Sequence, residues 1–175
     1  SSPASALQRR PRRPRLRGGR GRPAFGERMM DWELAYTACN ATAGLCWLPM
    51  FLAPRSGVTE RWTATPLPPM AFGLVYAALS VVMFTSDGDG SMASLAALRR
   101  GFEVDAVLLL AWVHYLAFDM MVGFWMVRDA RRLGLNTWAL RPCLVFTFML
   151  GPIGLLLYAG LRLAQRGTLR FDAAD

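Results

Sequence analysis

The sequence has no lysine, a single histidine (His114) and three cysteines among its 175 residues. An odd number of cysteines, with no CxxC pair, argues against a disulfide framework and against a thiolate zinc site. One histidine cannot supply a three-histidine zinc site, a bis-histidine haem site or a histidine-rich di-iron centre. These absences exclude an enzyme whose metal is held mainly by imidazole groups.

Excess positive charge is confined to the first 30 residues. Nine of the 20 arginines lie there with one acid, Glu27, so this segment carries the whole net charge of +8. The remaining residues are neutral, with arginines and acids in equal number. Because no arginine cluster falls on a folded, groove-sized face, the sequence argues against a nucleic-acid-binding domain.

Residues 1–30 are rich in Arg, Pro, Gly and Ser and have almost no periodic apolar residues. Such a segment buries too little apolar surface to offset its conformational entropy, so we expect it to be disordered in isolation. Its composition is typical of an organelle transit peptide. The alternative is a basic extension that is attracted to anionic lipid or to an acidic partner surface.

Four apolar stretches follow, at about residues 32–52, 69–84, 104–127 and 142–163. Each is near the roughly 20 residues that cross about 30 Å of hydrocarbon. Each is apolar all round rather than along one stripe, which argues against a soluble helical bundle. The sequence therefore predicts an all-α, four-span membrane domain over residues 31–165 and a short polar tail over 166–175. Four spans place both termini on one side, and the arginines of the first 30 residues favour the positive-inside compartment, which in a plastid is the stroma.

The third span carries two ionisable residues, His114 and Asp119. Such groups in hydrocarbon cost at least a few kcal/mol, so each needs a partner, a cavity or a proton. Five residues correspond to about 140° around a helix, so the two side chains do not share a face. The face of His114 also carries Leu110, Phe118, Met121 and Trp125.

Three interpretations of this pair remain open. In a structural role, Asp119 is hydrogen-bonded to Thr147 or paired with Arg141. In a catalytic role, a neutral Asp119 donates a proton to a lipid-soluble substrate while His114 accepts one. In a ligand role, a neutral His114 binds the magnesium of a chlorophyll. Structural ion pairs are expected among Asp119, Arg128, Asp129 and Arg141.

The fourth span contains Pro152, which removes a backbone donor and clashes with the carbonyl of Phe148. We therefore expect a kink in mid-membrane, where Gly151 and Gly154 allow close approach of another helix or a flat ligand. The candidate pigment contacts, taken together, are His114, Asn40, Trp112, Trp125, Gly151, Pro152 and Gly154.

The runs AWVHYLAFDMMVGFWMVRDARRLGLN and RPCLVFTFMLGPIGLLLYAGLR carry a family resemblance, as does the opening helix WELAYTACNATAGLCWLPMFLAPR. In these runs W-x-H-x-L-x-x-D, an Arg-Asp pair, Pro-Cys and Gly-Pro occur in order. The chain resembles the abscisic-acid-deficient-four-like family of small four-span membrane proteins. The resemblance covers about residues 31–165 and omits the basic extension.

The resemblance implies a role in making neoxanthin, an allenic xanthophyll, from violaxanthin in plastid membranes such as the thylakoid. Opening an epoxide into an allene needs a proton delivered to the epoxide oxygen and one removed from the polyene, so Asp119 as acid and His114 as base would suit that isomerisation. The alternative is an accessory subunit of a photosystem or light-harvesting complex, which binds carotenoid or chlorophyll without catalysis and uses its basic extension to contact a partner.

Overall fold

The structure, a computed structural model, describes residues 31–85 and 93–170. These residues form helices joined by turns and contain no strand, which confirms the all-α prediction. The predicted basic extension, residues 1–30, lies outside the described residues, as do residues 171–175 of the predicted tail. In chain order the helices are α1 Trp32–Leu52, α2 Gly57–Thr63, α3 Leu67–Thr85, α4 Leu95–Gly101, α5 Asp105–Arg132, α6 Thr137–Leu150 and α7 Pro152–Arg166.

Four of these helices begin at a polar residue whose side chain accepts a hydrogen bond from a backbone N–H of the first turn. Such a cap satisfies one of the donors that a helix leaves free at its start, and it fixes where the helix begins. The caps are Asp31 for α1, Ser56 for α2, Ser94 for α4 and Asn136 for α6.

The central helix is α5, whose 28 residues extend about 42 Å. Helix α1 runs parallel to it, because Asn40 meets Trp112 near the start of α5 whereas Trp47 packs on Gly123 further along. Helix α3 runs antiparallel to α5, and its Tyr76 ring lies against His114. The predicted spans 32–52, 69–84 and 104–127 thus correspond to α1, α3 and α5.

The bundle has two distinct ends. At the α4 end lie Asp31, α4 and the start of α5. At the α2 end lie α2, the last turns of α5 and the turn that leads into α6. Two contacts hold the elements of the α2 end together. Arg131 of α5 pairs with Glu60 of α2, and Arg55 donates to the carbonyl of Leu135 in the turn before α6.

The fourth apolar stretch is not a single kinked span, so that prediction is wrong. Helix α6 stops at Leu150, Gly151 takes φ +22° and ψ −80°, and α7 folds back antiparallel along α6. At the open end of this hairpin, the Asn136 N–H donates to Gln165 Oε1 at 2.9 Å. Gly154 packs directly on Thr147, where a Cβ would collide with the backbone. Pro152 correctly indicates where the helix is interrupted. The chain reverses direction there rather than bending, because Gly151 adopts a positive φ and Gly154, which has no side chain, lets α7 pack closely on α6.

The hairpin is about half as long as α5, since its helices have 14 and 15 residues and extend about 21–22 Å. Its turn reaches the middle of α5, where the Tyr115 hydroxyl donates to the Met149 carbonyl at 3.3 Å. Both ends of the hairpin therefore lie at the α2 end. As a result, Asp31 and Arg170 lie at opposite ends of the bundle, unlike the same-side termini that four spans require.

Two helical stretches of the described residues are long and apolar enough to cross a membrane. They are Gly57–Phe84, which comprises α2 and α3, and Asp105–Arg132, which is α5. Helix α6 is apolar but shorter. By their length and composition, these helices indicate that the protein associates with a membrane. They do not establish how many times the chain crosses it.

Candidate functional site

A mainly apolar cleft of about 380 Å³ lies at the α4 end, between α3, α4 and α5. Tyr76 and Ser80 of α3 and His114 of α5 contribute its polar groups. Apolar residues form the other walls, among them Leu98 of α4 and Ala111 of α5. We call this space the His114 cleft.

His114 is exposed on the face of α5 that points towards α3. Its ring centroid lies 4.6 Å from that of Phe118 and 5.6 Å from that of Tyr76. Within the described part of the chain the imidazole makes no hydrogen bond, so its nitrogens are available to a ligand. The described residues contain no group of three His, Cys, Asp or Glu side chains that could hold a metal ion.

Asp119 lies on another side of α5, against the turn of the hairpin. A Cβ at Gly151 would collide with its carboxylate, and the Tyr115 hydroxyl lies beside it. One carboxylate oxygen, Oδ2, is buried and has no hydrogen-bond partner in residues 31–85 and 93–170. Since α7 begins at this turn, the carboxylate lies near the positive end of the helix dipole. This arrangement can hold a negative charge or a proton in the middle of the bundle.

The partners that the sequence suggested for Asp119 are wrong. The Thr147 hydroxyl donates to the Cys143 carbonyl at 2.8 Å, within α6. Arg141 donates to the Leu52 carbonyl at 3.0 Å and lies 4.3 Å over the Trp138 ring. Both side chains are thus occupied elsewhere. Asp119 instead has Tyr115 beside it, one turn earlier on α5, and Gly151 of the hairpin turn against it.

The structure does not bring His114 and Asp119 into one cleft. His114 faces α3, whereas Asp119 faces the hairpin, as the five-residue spacing predicts. A single substrate in the His114 cleft would meet the imidazole but not the carboxylate. An acid and base pair acting together on one bound molecule is therefore not supported by this geometry.

Asp129 belongs to a buried polar cluster that ties α5 to α7. Its carboxylate accepts a hydrogen bond from the Tyr158 hydroxyl at 2.6 Å and forms ion pairs with Arg162 at 3.1 Å and Arg132 at 3.2 Å. The Asp129 and Arg162 side chains are 3% and 2% exposed. The sequence singled out Asp129 but not Tyr158 or Arg162, whose spacing of four residues on α7 puts them on one face.

Three of the candidate pigment contacts serve packing between helices. Trp112 donates from Nε1 to Asn40 Oδ1 at 3.1 Å, and the Asn40 amide donates to the Tyr36 carbonyl at 2.8 Å. The Trp112–Asn40 bond joins α5 to α1. The Trp125 ring packs edge-on against Tyr158 at 5.2 Å between centroids, which joins α5 to α7.

The other three candidates, Gly151, Pro152 and Gly154, form the turn of the hairpin. None of them lines the His114 cleft. Gly151 abuts Asp119 and Gly154 abuts Thr147, so protein atoms occupy the space that a flat ligand would need.

A second cleft, which sequence reasoning missed, lies at the α2 end and has a volume of about 540 Å³. Thr63 and Pro66, around the turn between α2 and α3, form one wall, and α5 forms the other. The α5 wall consists of Met121, Phe124, Trp125, Arg128, Asp129 and Arg132. The sequence did contain a signal for this wall. Met121, Trp125, Arg128 and Arg132 follow at intervals of four, three and four residues, so they lie on one side of a helix that changes from apolar to cationic along its length.

Residues 34–158 match the family model described as ABA DEFICIENT 4-like. The chain belongs to this family. No curated protein and no solved structure matches the chain. The matched residues include α1 from Leu34 onwards, α3, α5 and the hairpin turn. The ABA DEFICIENT 4-like region therefore contains both clefts and the Asp129–Tyr158 contact.

Proposed function

We propose that this protein is a membrane protein that binds the ring end of a xanthophyll in the His114 cleft and takes part in forming neoxanthin-type xanthophylls. Membership of the ABA DEFICIENT 4-like family supports the choice of pigment. The observation that carries the proposal is the His114 cleft itself, where an imidazole without a hydrogen-bond partner in the described residues lies within mainly apolar walls.

In this proposal α1, α3 and α5 cross the bilayer and the α6–α7 hairpin enters it from the α2 end. The described arginines support the orientation, since only Arg99 and Arg100 lie at the α4 end. The nine at the α2 end are Arg55, Arg61, Arg128, Arg131, Arg132, Arg141, Arg162, Arg166 and Arg170. By the positive-inside rule, these arginines favour an α2 end that faces the cytoplasm or, in a plastid, the stroma. This orientation rests on removal of residues 1–30 as a transit peptide, because their nine arginines precede Asp31 on the α4 side and would favour the opposite orientation.

A xanthophyll suits the His114 cleft because it is a long apolar molecule with polar groups on its end rings. Burial of its ring against residues such as Leu98 and Ala111 is favourable at about 25 cal/mol per Å² of apolar surface. A neutral imidazole carries one donor and one acceptor, so His114 can donate to an epoxide or hydroxyl oxygen. Ring contacts with Phe118 and Tyr76 hold the imidazole in place for that bond.

Pigment retention tests this proposal. The full chain is expressed in bacteria that accumulate violaxanthin, purified in mild detergent and extracted for chromatography. Ala111→Phe fills the cleft, and we expect it to lower the xanthophyll retained per protein by about tenfold or more, since a blocked cleft loses well over 1.4 kcal/mol of binding. Ala77→Phe, at an exposed position of α3 outside the cleft, is the matched control and retains pigment.

Equal pigment in the Ala111→Phe and wild-type proteins, or none in the wild type, would overturn the binding proposal. His114→Phe separates holding from chemistry, because it keeps the apolar walls and removes the donor. Retained violaxanthin with loss of neoxanthin would assign His114 a role in the reaction. In a separate arm, chlorophyll a is added to the purified protein, and a bound red absorption band in the wild type that is absent in His114→Phe would instead favour the chlorophyll-binding accessory subunit.

A further inference from the structure

We propose that the cleft at the α2 end binds the phosphate headgroup of an anionic lipid, with part of an acyl chain against Met121 and Phe124. The cleft lies between the α2–α3 turn and α5 and is about 540 Å³ in volume. This binding is separate from the xanthophyll proposal, because it uses the opposite end of α5.

The α5 wall of the cleft changes from apolar to cationic along its length. Met121, Trp125, Arg128 and Arg132 follow one another on one side of the helix and extend about 16 Å along it. The apolar residues lie towards the middle of α5, and both arginines lie in its last turns. A lipid has the same order, since its chains lie in the hydrocarbon and its headgroup lies at the surface.

Arg128 has no hydrogen bond or ion pair among the residues that the structure describes, and its side chain is exposed. Arg132 donates to Asp129 Oδ1 at 3.2 Å, and 39% of its side chain is exposed. The Asp129 carboxylate, the acidic group in the cleft wall, is already balanced by buried Arg162 at 3.1 Å. Among the residues that the structure describes, the cleft wall therefore has a net positive charge, and the Arg128 guanidinium has donors available to an anion.

A phosphate headgroup fits this charge better than a pigment does. A guanidinium forms paired, charge-assisted hydrogen bonds with phosphate oxygens, whereas a neutral xanthophyll offers no anion. The α2 end holds most of the described arginines, and the membrane face that attracts such residues is also the face that is rich in anionic lipid. Trp125, beside the arginines, is a residue type that is enriched at this depth.

Native mass spectrometry of the purified full chain tests the proposal, with dioleoyl-phosphatidylglycerol as the anionic probe and dioleoyl-phosphatidylcholine as the neutral one. We expect wild-type protein to retain phosphatidylglycerol at least tenfold better. Each arginine near an anionic surface contributes enough for about a fivefold change in affinity, so Arg128→Gln should weaken binding about fivefold. Arg128→Gln with Arg132→Gln should weaken it about 30-fold.

The matched control combines Arg61→Gln and Arg166→Gln, which remove the same charge at the α2 end outside the cleft. We expect this variant to bind phosphatidylglycerol as the wild type does, and an equal loss in both double variants would overturn the proposal. So would a wild type that does not prefer phosphatidylglycerol, or displacement of the lipid by inorganic phosphate at equal concentration. Loss of xanthophyll from Arg128→Gln would assign the cleft to pigment instead.

Because Arg128 has no described partner, its variant should keep the wild-type melting temperature.

Discussion

The two ends of the bundle differ in how their helices are connected. At the α2 end, polar side chains join elements that are far apart in sequence. Arg131 donates to the carbonyl of Ser56 at 3.0 Å and pairs with Glu60 at 3.0 Å, and it also bonds the carbonyl of Arg55. Trp62 of α2 donates to the Cys46 carbonyl of α1 at 3.0 Å. These bonds connect α1, α2 and α5 independently of apolar packing.

Among residues 31–85 and 93–170, the α4 end has fewer polar contacts between residues far apart in sequence than the α2 end has. At the α4 end the Asn40–Trp112 bond and the packing of Tyr36 on Trp112, at 5.8 Å between centroids, join α1 to α5. The His114 cleft lies between α3, α4 and α5 at this same end. The polar contacts at the α2 end thus fix the arrangement of the helices, and the His114 cleft lies at the end with fewer such contacts.

The largest effect is expected at the α2 end, from Asp129→Asn. This change leaves Arg162 buried without its counter-charge, which costs about 3–5 kcal/mol. Chemical unfolding in detergent micelles, followed by circular dichroism, would measure the loss. Glu60→Gln is the control, because it breaks an ion pair of which Glu60 is 68% exposed. Such exposed pairs contribute about 0–1 kcal/mol, so a similar loss in both variants would contradict the importance of burial.

An intermediate effect is expected at the hairpin turn, between the two ends. Gly151→Ala puts a Cβ on a backbone with φ +22° and against the Asp119 carboxylate, so it should cost about 1–3 kcal/mol. Gly160→Ala, in the middle of α7, adds a Cβ that meets open space. We expect that control to be neutral or stabilising by up to about 1 kcal/mol. If unfolding gave equal free energies for both variants, the sharp reversal at Gly151 would be in doubt.

The smallest effect is expected at the α4 end, from Asn40→Ala. Loss of the hydrogen bond from Trp112 should lower the free energy of unfolding by about 0.5–1.5 kcal/mol. Thr42→Ala, at an exposed position of the same helix, is the control. A loss as large as that of Asp129→Asn would show that the two ends are tied equally, contrary to the comparison.

The sequence predicted the helices that depend on local signals. The apolar lengths of α1, α3 and α5 are local properties and were sufficient to locate these elements. The angular separation of His114 and Asp119 also follows from helix geometry alone, and the structure agrees with it.

The sequence did not predict the hairpin, because a Gly-Pro pair is compatible with a kink as well as with a reversal. What decides between them is contact between residues that lie far apart in the chain, such as Gly154 with Thr147 and Asn136 with Gln165. The contact of Asp119 with Gly151 and the contacts of Asp129 with Tyr158 and Arg162 depend on the same reversal. For that reason the sequence did not predict Arg162 as the buried partner of Asp129, because a single long span would have placed Arg162 far from α5.

Cysteine labelling in sealed membrane vesicles tests the hairpin most directly. In a chain whose three cysteines are replaced by alanine, single cysteines are placed at exposed positions by Val58→Cys at the α2 end, Leu169→Cys after α7 and Leu95→Cys at the α4 end. A membrane-impermeant maleimide should label the cysteines at 58 and 169 from the same side and the one at 95 from the opposite side. Labelling of 169 together with 95, as four spans would require, would contradict the hairpin.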